Sequence, residues 1–528
     1  MAETKREIER KYEATDETRL PDLTRAPGVS AVLDKGVDEL DAVYYDTTDL
    51  RLAADSLTLR RRTGGGDAGW HLKLPVAPGV RDEIRAPLAD TLPEPLAELL
   101  RSRTLGADLV PTVRLLSSRD VRHLVDDRGT LLAEVSVDTV LAERLGGSGG
   151  ATASWKEIEV ELAEGADPDL LDAVEKRLRK AGVRPSTAPS KLARALEETT
   201  SREAPGKAAR TGPKGAPDKA AREKSRPAGQ RAPAEDTAGA RVLAYVREQI
   251  EAIVRYDPAV RRDLPDSVHK MRVATRRLRS AFKTYRKVLD RTVTDPIGDE
   301  LTWLAGELGV ARDQEVLAAH LADRLDALSD TLLLGPVRAR LQIWDASLGT
   351  EARRAVLAAL DSDRHLELLR ALHALLADPP LRKAAHRDAS VLAKAVHKDY
   401  DRLAGRVGRA LPLEPGPERD LAMHEARKAA KRARYAAEAA TPALGKPARR
   451  MAKRLKAVQS VLGDHQDSVV ARETLRTLAI QAHAAGESAF TWGLLYGREE
   501  ALGAAREREF PQVWERASAP GIRAAVTS

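Results

Sequence analysis

Residues 7–11 read "EIERK", and the side to which Glu7, Glu9 and Lys11 point decides the fold of the first two hundred residues. In a β-strand successive side chains alternate between faces, so these three share one side and Ile8 takes the other. Two readings are open. On an open sheet the charged face is solvated. In a closed barrel the same face turns inward and lines the lumen.

Neighbouring stretches repeat the pattern. Arg60 and Arg62 share a face in "LTLRRRT" (57–63), as do His71 and Lys73 in "WHLKLP" (70–75). In "WKEIEVEL" (155–162) Glu157, Glu159 and Glu161 share one face, opposite Ile158, Val160 and Leu162. Acids concentrate on some strands and bases on others. A barrel with these faces inward is lined by carboxylates, which suit a divalent cation, and by Arg and Lys, which suit a polyanion. Tyr44 and Tyr45 read as core packing.

The chain has 528 residues, more than one compact core accommodates, so two or more domains are expected. It has no cysteine, which excludes disulfides and thiolate metal sites. Any metal is therefore held by oxygen or imidazole, favouring Mg2+ or Mn2+. A net charge of +7 points to an anionic partner. No apolar run approaches the roughly 20 residues needed to span a membrane, and "MAETKREIERKY" lacks a signal-peptide core. A cytoplasmic location is expected. Aromatic residues make up 3% of the chain, which leaves few platforms for stacking bases and disfavours nucleic acid.

Residues 201–238 are rich in Pro, Gly, Ala, Lys and Arg and have no large apolar residue, so they read as a disordered basic linker. Before it (1–200), short period-2 runs such as "DAVYYDT" and "RHLVDD" predict an antiparallel sheet or barrel with a few helices. After it (239–516) the chain is Ala, Leu and Arg-rich with apolar residues at helical spacing, an all-α bundle. The expected fold class is α+β multidomain. The second part is duplicated, about 240–380 and 390–516: "HKMRVATRRLR" from 269 recurs as "HEARKAAKRARY" from 424, and "LGVARDQEV" (308–316) as "LGDHQD" (462–467). On one helix His269, Arg272, Arg276, Arg279 and Lys283 fall within an arc of about 100°. Met271, Leu278, Phe282, Tyr285 and Leu289 form another face, suited to the core. The stripe recurs as His424, Arg427, Lys431 and Arg434. Asp313 and Asp467 read as orienting or capping residues. His320, His365, His373, His386 and His397 have no repeat partners and read as surface or core; no histidine pair shows metal-ligand spacing.

The ordered set "EIERK", "YYDT" (44–47), "LRRR" (59–62), "KLP" (73–75), "AEVSVD" (133–138), "EIEVEL" (157–162) and "SKLARAL" (190–196) resembles the CYTH family, the triphosphate tunnel metalloenzymes, over residues 3–198. The resemblance implies an eight-stranded tunnel that binds a triphosphate end to end. It implies metal ligands at Glu7, Glu9, Asp138, Glu157 and Glu159, with Glu134 and Glu161 as further candidates. It implies phosphate contacts at Lys11, Arg60, Arg62, Lys73, Arg119 and Lys191, with Arg81 as another; Arg114 and Arg122 stand beside Arg119 as alternatives. The duplicated basic helices resemble the CHAD domain over 240–515, which implies a pseudo-twofold helical bundle that binds long-chain polyphosphate through His269, Arg272, Arg276, Arg279, Lys283, His424, Arg427, Lys431 and Arg434. Histidine protonation near pH 6.5 is expected to add attraction. Together the two resemblances imply a metal-dependent inorganic triphosphatase that hydrolyses tripolyphosphate, tethered to a polyphosphate-binding module and associated with polyphosphate granules. The alternatives are a nucleotide-acting enzyme of the same fold (adenylyl cyclase, or nucleoside or thiamine triphosphatase) and a non-catalytic polyphosphate scaffold.

Overall fold

A computed structural model describes residues 3–146, 150–200 and 234–526. The chain divides into two compact units, Met1–Gly215 and Ala216–Ser528, each described by itself. Of the expected linker, 201–233 lie outside the described residues. Thr237 caps the first helix of the second unit, Ala238–Arg261, by accepting from the Ala240 amide at 3.3 Å.

The first unit holds β1 (Glu3–Ala14), β2 (Ala31–Asp46), β3 (Thr58–Thr63), β4 (Gly69–Ala77), β5 (Val80–Ala86), β6 (Val110–Val125), β7 (Leu131–Arg144), β8 (Thr152–Leu162) and the two-residue β9 (Arg184–Pro185). Their order is β5-β4-β3-β2-β6-β7-β8-β1-β9, and a β1–β5 pairing closes the first eight strands into an antiparallel barrel. β2 and β6 each run 16 residues, longer than the short runs visible in the sequence. The extra length of β2 passes through "LDKGVDEL", where a bulge between Asp34 and Gly36 and the positive φ of Gly36 (90°) interrupt any apolar alternation.

The barrel is polar inside and apolar outside. Ile8 and Tyr12 turn outward from β1 and pack with Ile158, Val160, Val135 and Leu124 against Leu170, Leu171, Val174 and Leu178 of the helix Asp169–Lys180. Each such side chain contributes about 1.5–3 kcal/mol on burial, which offsets the cost of holding charge in the lumen. Arg10, also outward, reaches Glu175 and Asp172 on that helix at 2.8 and 2.5 Å. "EIERK" therefore faces its charges inward.

The inward face itself changes character along the barrel. Glu161, Glu159 and Glu157 on β8 are followed by Trp155 and Ala153; opposite them on β7, Glu134, Ser136 and Asp138 give way to Val140 and Ala142. Against this apolar end pack Leu192 and Ala195 of the helix Lys191–Thr200, together with Val113, Leu115 and Tyr44. The helix closes one end of the barrel and places its first residue, Lys191, beside the charged wall.

In the second unit the helix Ser267–Thr284 buries Met271, Leu278 and Phe282, with Tyr285 and Leu289 buried just beyond it, as the face assignment predicts. The second basic stripe lies on Pro417–Ala484, two helical segments joined at a kink where Gly445 adopts φ 65°, between Pro442 and Pro447.

Candidate active site and basic helical surface

The barrel encloses a cavity of about 240 Å³. Its wall carries nine cationic and seven acidic side chains; Tyr44, Thr58 and Ser190 complete it. Glu7, Glu9, Glu134, Glu159 and Glu161 line it, as do Lys11, Arg60, Arg62, Lys73, Arg81, Arg119 and Lys191. Asp138 and Glu157 are buried against Lys191 and do not line it. Of the three arginines offered by β6, only Arg119 faces the cavity; Arg114 is held by Asp41 and Arg122 by Asp120.

Four charged lining residues escaped the sequence reading: Lys5, Asp67, Glu83 and Arg85. The signal for two of them was present in "RDEIR", where Arg81, Glu83 and Arg85 alternate as regularly as "EIERK", but with mixed sign. Glu83 is fully buried and organises one wall: Arg85 Nε stands 2.5 Å from it, His71 Nδ1 2.9 Å, Arg60 3.5 Å and Lys73 3.6 Å. Burial alone would raise its pKa, yet His71, Lys73 and Arg60 hold it well below the usual carboxylate range.

The opposite wall is knitted by Arg119, which donates to Asp138 through Nε and Nη2 at 2.8 Å each and to Glu159 at 2.8 Å. Lys11 contacts Glu159 and lies 3.3 Å from Glu9. Although burial pushes the Glu9 carboxyl up, Lys11 and Lys73 bring it below its ordinary value. Glu7, 2.6 Å from Lys73, goes the other way: burial, with Glu83 and Glu161 nearby, raises its pKa against the pull of that lysine. Glu7 is thus a buried carboxylate short of positive charge. Arg62 is its counterpart of opposite sign. It contacts Asp67, yet burial and the neighbouring Arg60 and Arg119 push its pKa down to about 9. The cavity wants a cation near Glu7 and an anion near Arg62.

The reading of Tyr44 as core needs amending. Its ring packs in the apolar cluster with Val113 and Trp155, while its hydroxyl reaches the cavity and accepts from Arg60 Nη1 at 3.4 Å. Tyr45 packs on Trp70 with ring centroids 5.0 Å apart.

The donor set fits a hard divalent cation. It is all carboxylate oxygen, it includes the under-compensated Glu7, and Asp138, Glu157 and Glu159 present ligand atoms within 4.8 Å of one another. A second group of that kind lies in the helical unit, where His465 Nε2 stands 3.2 Å from both Asp420 and Glu507. Local spacing could not show it, because the three residues come from distant positions in the chain. Arg472 and Arg419 already stand 3.6 and 3.4 Å from its carboxylates.

In that unit the two basic stripes come together. Arg276 Nε donates to the Tyr435 hydroxyl at 3.1 Å, and Arg277 lies 3.2 Å from Glu438, so the first stripe's helix packs on the second's. Lys431 feels both: burial, then Arg427, Arg276 and Arg272, push its pKa down to about 7. Within each repeat an aspartate orients the leading arginine, Asp313 at 2.6 Å from Arg272 and Asp467 at 3.5 Å from Arg427. Arg279 donates to Thr302 at 3.1 Å, Lys283 is depressed by burial and by Arg279 and Arg432, and Arg434 stands 3.4 Å from Glu438. His424 Nδ1 is 2.7 Å from Gln466 Oε1. For His269 the expected protonation near pH 6.5 is corrected downward: burial, Arg312 and Arg276 all disfavour its charged form. Of the unrepeated histidines, His365 is buried on Asp257 at 3.1 Å, His320 lies 3.0 Å from Glu499, His397 is half-buried, and His373 and His386 are exposed.

A charged, closed barrel followed by a duplicated basic helical unit defines a two-module class, and comparison with known proteins places the chain in it. Residues 5–196 match the model of the CYTH domain and residues 244–476 that of the CHAD domain. An uncharacterized protein of Mycobacterium tuberculosis (strain CDC 1551 / Oshkosh) is 37% identical over 510 residues, covering 94% of this chain and 93% of the relative. Among solved structures, PptA from Streptomyces chartreusis shares 23% identity at a TM-score of 0.44, over 53% of this chain and 99% of that one. The CHAD domain from the plant Ricinus communis shares 27% at a TM-score of 0.39, over 57% and 96%. The chain belongs to the family in which a CYTH domain is followed by a CHAD domain. CYTH membership supports a phosphoryl-transfer enzyme acting on triphosphates with a divalent metal. Among the described residues no helix is long and apolar enough to cross a membrane.

Proposed function

We propose that the first unit hydrolyses inorganic tripolyphosphate with Mg2+ or Mn2+, and that the second binds long-chain polyphosphate. The observation that carries the substrate assignment is the wall of the cavity. It has sixteen charged side chains and no apolar side chain, and its single aromatic ring, Tyr44, is 4% exposed. A nucleotide base or a thiazolium would find nothing there to stack on or pack against.

In this reading Lys11, Arg60, Arg62, Lys73, Arg81 and Arg119 grip non-bridging oxygens, and neutralising that charge lowers the repulsion met by an attacking water. Arg62, crowded by Arg60 and Arg119, gains most from the polyanion. Glu7, Glu9 and Glu159, with Asp138, Glu157, Glu134 and Glu161 near them, are the residues to hold metal. A divalent cation there supplies charge stabilisation and a more acidic water. Water attacks a terminal phosphorus, the anhydride P–O bond breaks, and orthophosphate and pyrophosphate leave as one proton is released. The narrow, preformed wall positions the chain end before any bond changes.

The polyphosphate reading rests on the merging of the two stripes around Lys431. Its electrostatics favour a long anion that covers both.

Phosphate release from tripolyphosphate, ATP and thiamine triphosphate, measured side by side with Mg2+ and with Mn2+, tests the assignment. Tripolyphosphate should give the highest kcat/KM. A higher value for ATP or thiamine triphosphate would replace it with a nucleotide- or thiamine-acting enzyme.

A further inference from the structure

Three carboxylates on two adjacent strands converge on one ammonium group. Lys191 Nζ lies 2.8 Å from Asp138 Oδ2, 2.8 Å from Glu157 Oε1 and 2.6 Å from Glu159 Oε2. Asp138, Glu157 and Glu159 are also the tunnel residues whose ligand atoms are mutually close enough to share a metal ion. The ammonium therefore sits where a divalent cation would.

Two observations show that this seat is occupied without being fully satisfied. Glu157 is 3% exposed, yet its Oε1 makes no aligned hydrogen bond, so its contact with Lys191 is an ion pair only. Lys191 and Glu159 line the cavity while Asp138 and Glu157 do not. With the ammonium seated, those two carboxylates are separated from whatever enters the tunnel.

The backbone that carries Lys191 is fixed. Ser190 accepts from the Ala193 amide at 3.0 Å, Leu192 and Ala195 are buried in the barrel's apolar end, and Arg194 is tied to Glu13 and lies 5.0 Å above the Trp155 ring. The four-carbon stem of the lysine is the element that can move. Once it leaves the carboxylates it is a buried charge, and such a charge is costly unless it finds a partner. Arg119 stays on Asp138 and Glu159, so those acids do not need the lysine to remain partnered.

We propose that Lys191 is an internal stand-in for a divalent cation, seated on Asp138, Glu157 and Glu159 until a triphosphate oxygen receives it, so that metal at this seat and triphosphate in the tunnel bind cooperatively. The proposal rests on the reading of the tunnel as a metal-dependent triphosphate site. It assigns Lys191 two alternating partners, the carboxylates in the free protein and phosphate in the complex. A metal then fills this seat only when substrate is present, which ties full loading of the site to the anion that needs it.

The test is Mn2+ binding to the full-length protein without any phosphate, read from the paramagnetic resonance of free Mn2+. Lys191→Met should bind at least one additional equivalent, or bind an existing one at least about tenfold tighter, than wild type. Lys191→Arg, which keeps the charge, should titrate like wild type, and Glu157→Gln added to Lys191→Met should remove the gain. Lys191→Gln serves as a second uncharged variant should the methionine chain fail to fold. Identical titrations for wild type and both uncharged variants would overturn the proposal. Absence of tripolyphosphate hydrolysis by the wild type, with the Mn2+ gain present, would overturn the functional reading and leave the lysine exchange standing.

Discussion

Gly309 leaves the space that Arg272 fills: a Cβ at Gly309 would stand 3.3 Å from the guanidinium Nη2. The second repeat has the same relationship, with Gly463 and Arg427 at 3.5 Å. Each glycine lies four residues before the aspartate that orients its arginine. The repeated "LG" and "D" of the two motifs are thus one device for setting a guanidinium against a helix. Replacing either glycine by alanine favours the helix by roughly 0.5–1 kcal/mol, since glycine is a poor helix former. Gly309→Ala should therefore hold or raise the melting temperature while weakening polyphosphate binding, and Gly463→Ala should weaken it less. A parallel loss of stability and binding would contradict the account.

On the proposed reading, Lys431 should make polyphosphate binding pH-dependent. Its pKa of about 7 means that it is protonated below that pH and neutral above it in the free protein. A bound polyanion stabilises the protonated form, so affinity should fall as pH rises from 6 to 8, by at most about tenfold per pH unit for one linked proton. Lys431→Met should flatten this profile, and His269→Gln should change it less, because burial and the neighbouring Arg312 and Arg276 lower the His269 pKa. A profile that flattens only in the His269 variant would reverse the assignment.

The two stripes should contribute alike. Neutralising Arg272 and Arg276 is expected to lower polyphosphate affinity about as much as neutralising Arg427 and Lys431 at pH 6, and each pair should reduce the salt slope. Neither pair should alter tripolyphosphate hydrolysis. Binding of long-chain polyphosphate and of duplex DNA of equal charge, across a salt series, checks this; equal affinity for both ligands would reduce the surface to a generic basic patch.

The strands were legible wherever charged residues recurred at every second position. "EIERK" and "EIEVEL" declare the charged face of their strands, while its inward direction came from the resemblance to the CYTH family and not from the strands themselves. Arg81, Glu83 and Arg85 obey the same period, but their signs alternate too, so only Arg81 stood out, as a phosphate contact, and Glu83 and Arg85 were missed. Other features depend on contacts across long sequence separations. Nothing local to "SKLARAL" shows that Lys191 meets three acids, and nothing local to "HQD" shows that His465 meets Asp420 and Glu507. The selection of Arg119 over Arg114 and Arg122 needed the register of β6.

Glu83 gives a stability prediction. It is fully buried and compensates the partly buried Arg60, Lys73 and Arg85, so Glu83→Gln leaves several cations with a partner of reduced charge. Breaking a buried pair by removing one partner costs about 3–5 kcal/mol. The variant should melt well below wild type, and tripolyphosphate should restore more of the loss than it adds to wild type, because the anion takes over the missing charge. An unchanged melting temperature would show that the cluster does not depend on Glu83.

The central claim is that the inward-facing acids of "EIERK" serve catalysis on an inorganic triphosphate. Its most direct test is phosphorus NMR of tripolyphosphate incubated with Mg2+ and either wild-type protein or Glu9→Gln, with circular dichroism of both. The account predicts orthophosphate and pyrophosphate from wild type, none above background from Glu9→Gln, and equal helix and strand content. Hydrolysis at the wild-type rate by a folded Glu9→Gln protein would contradict it.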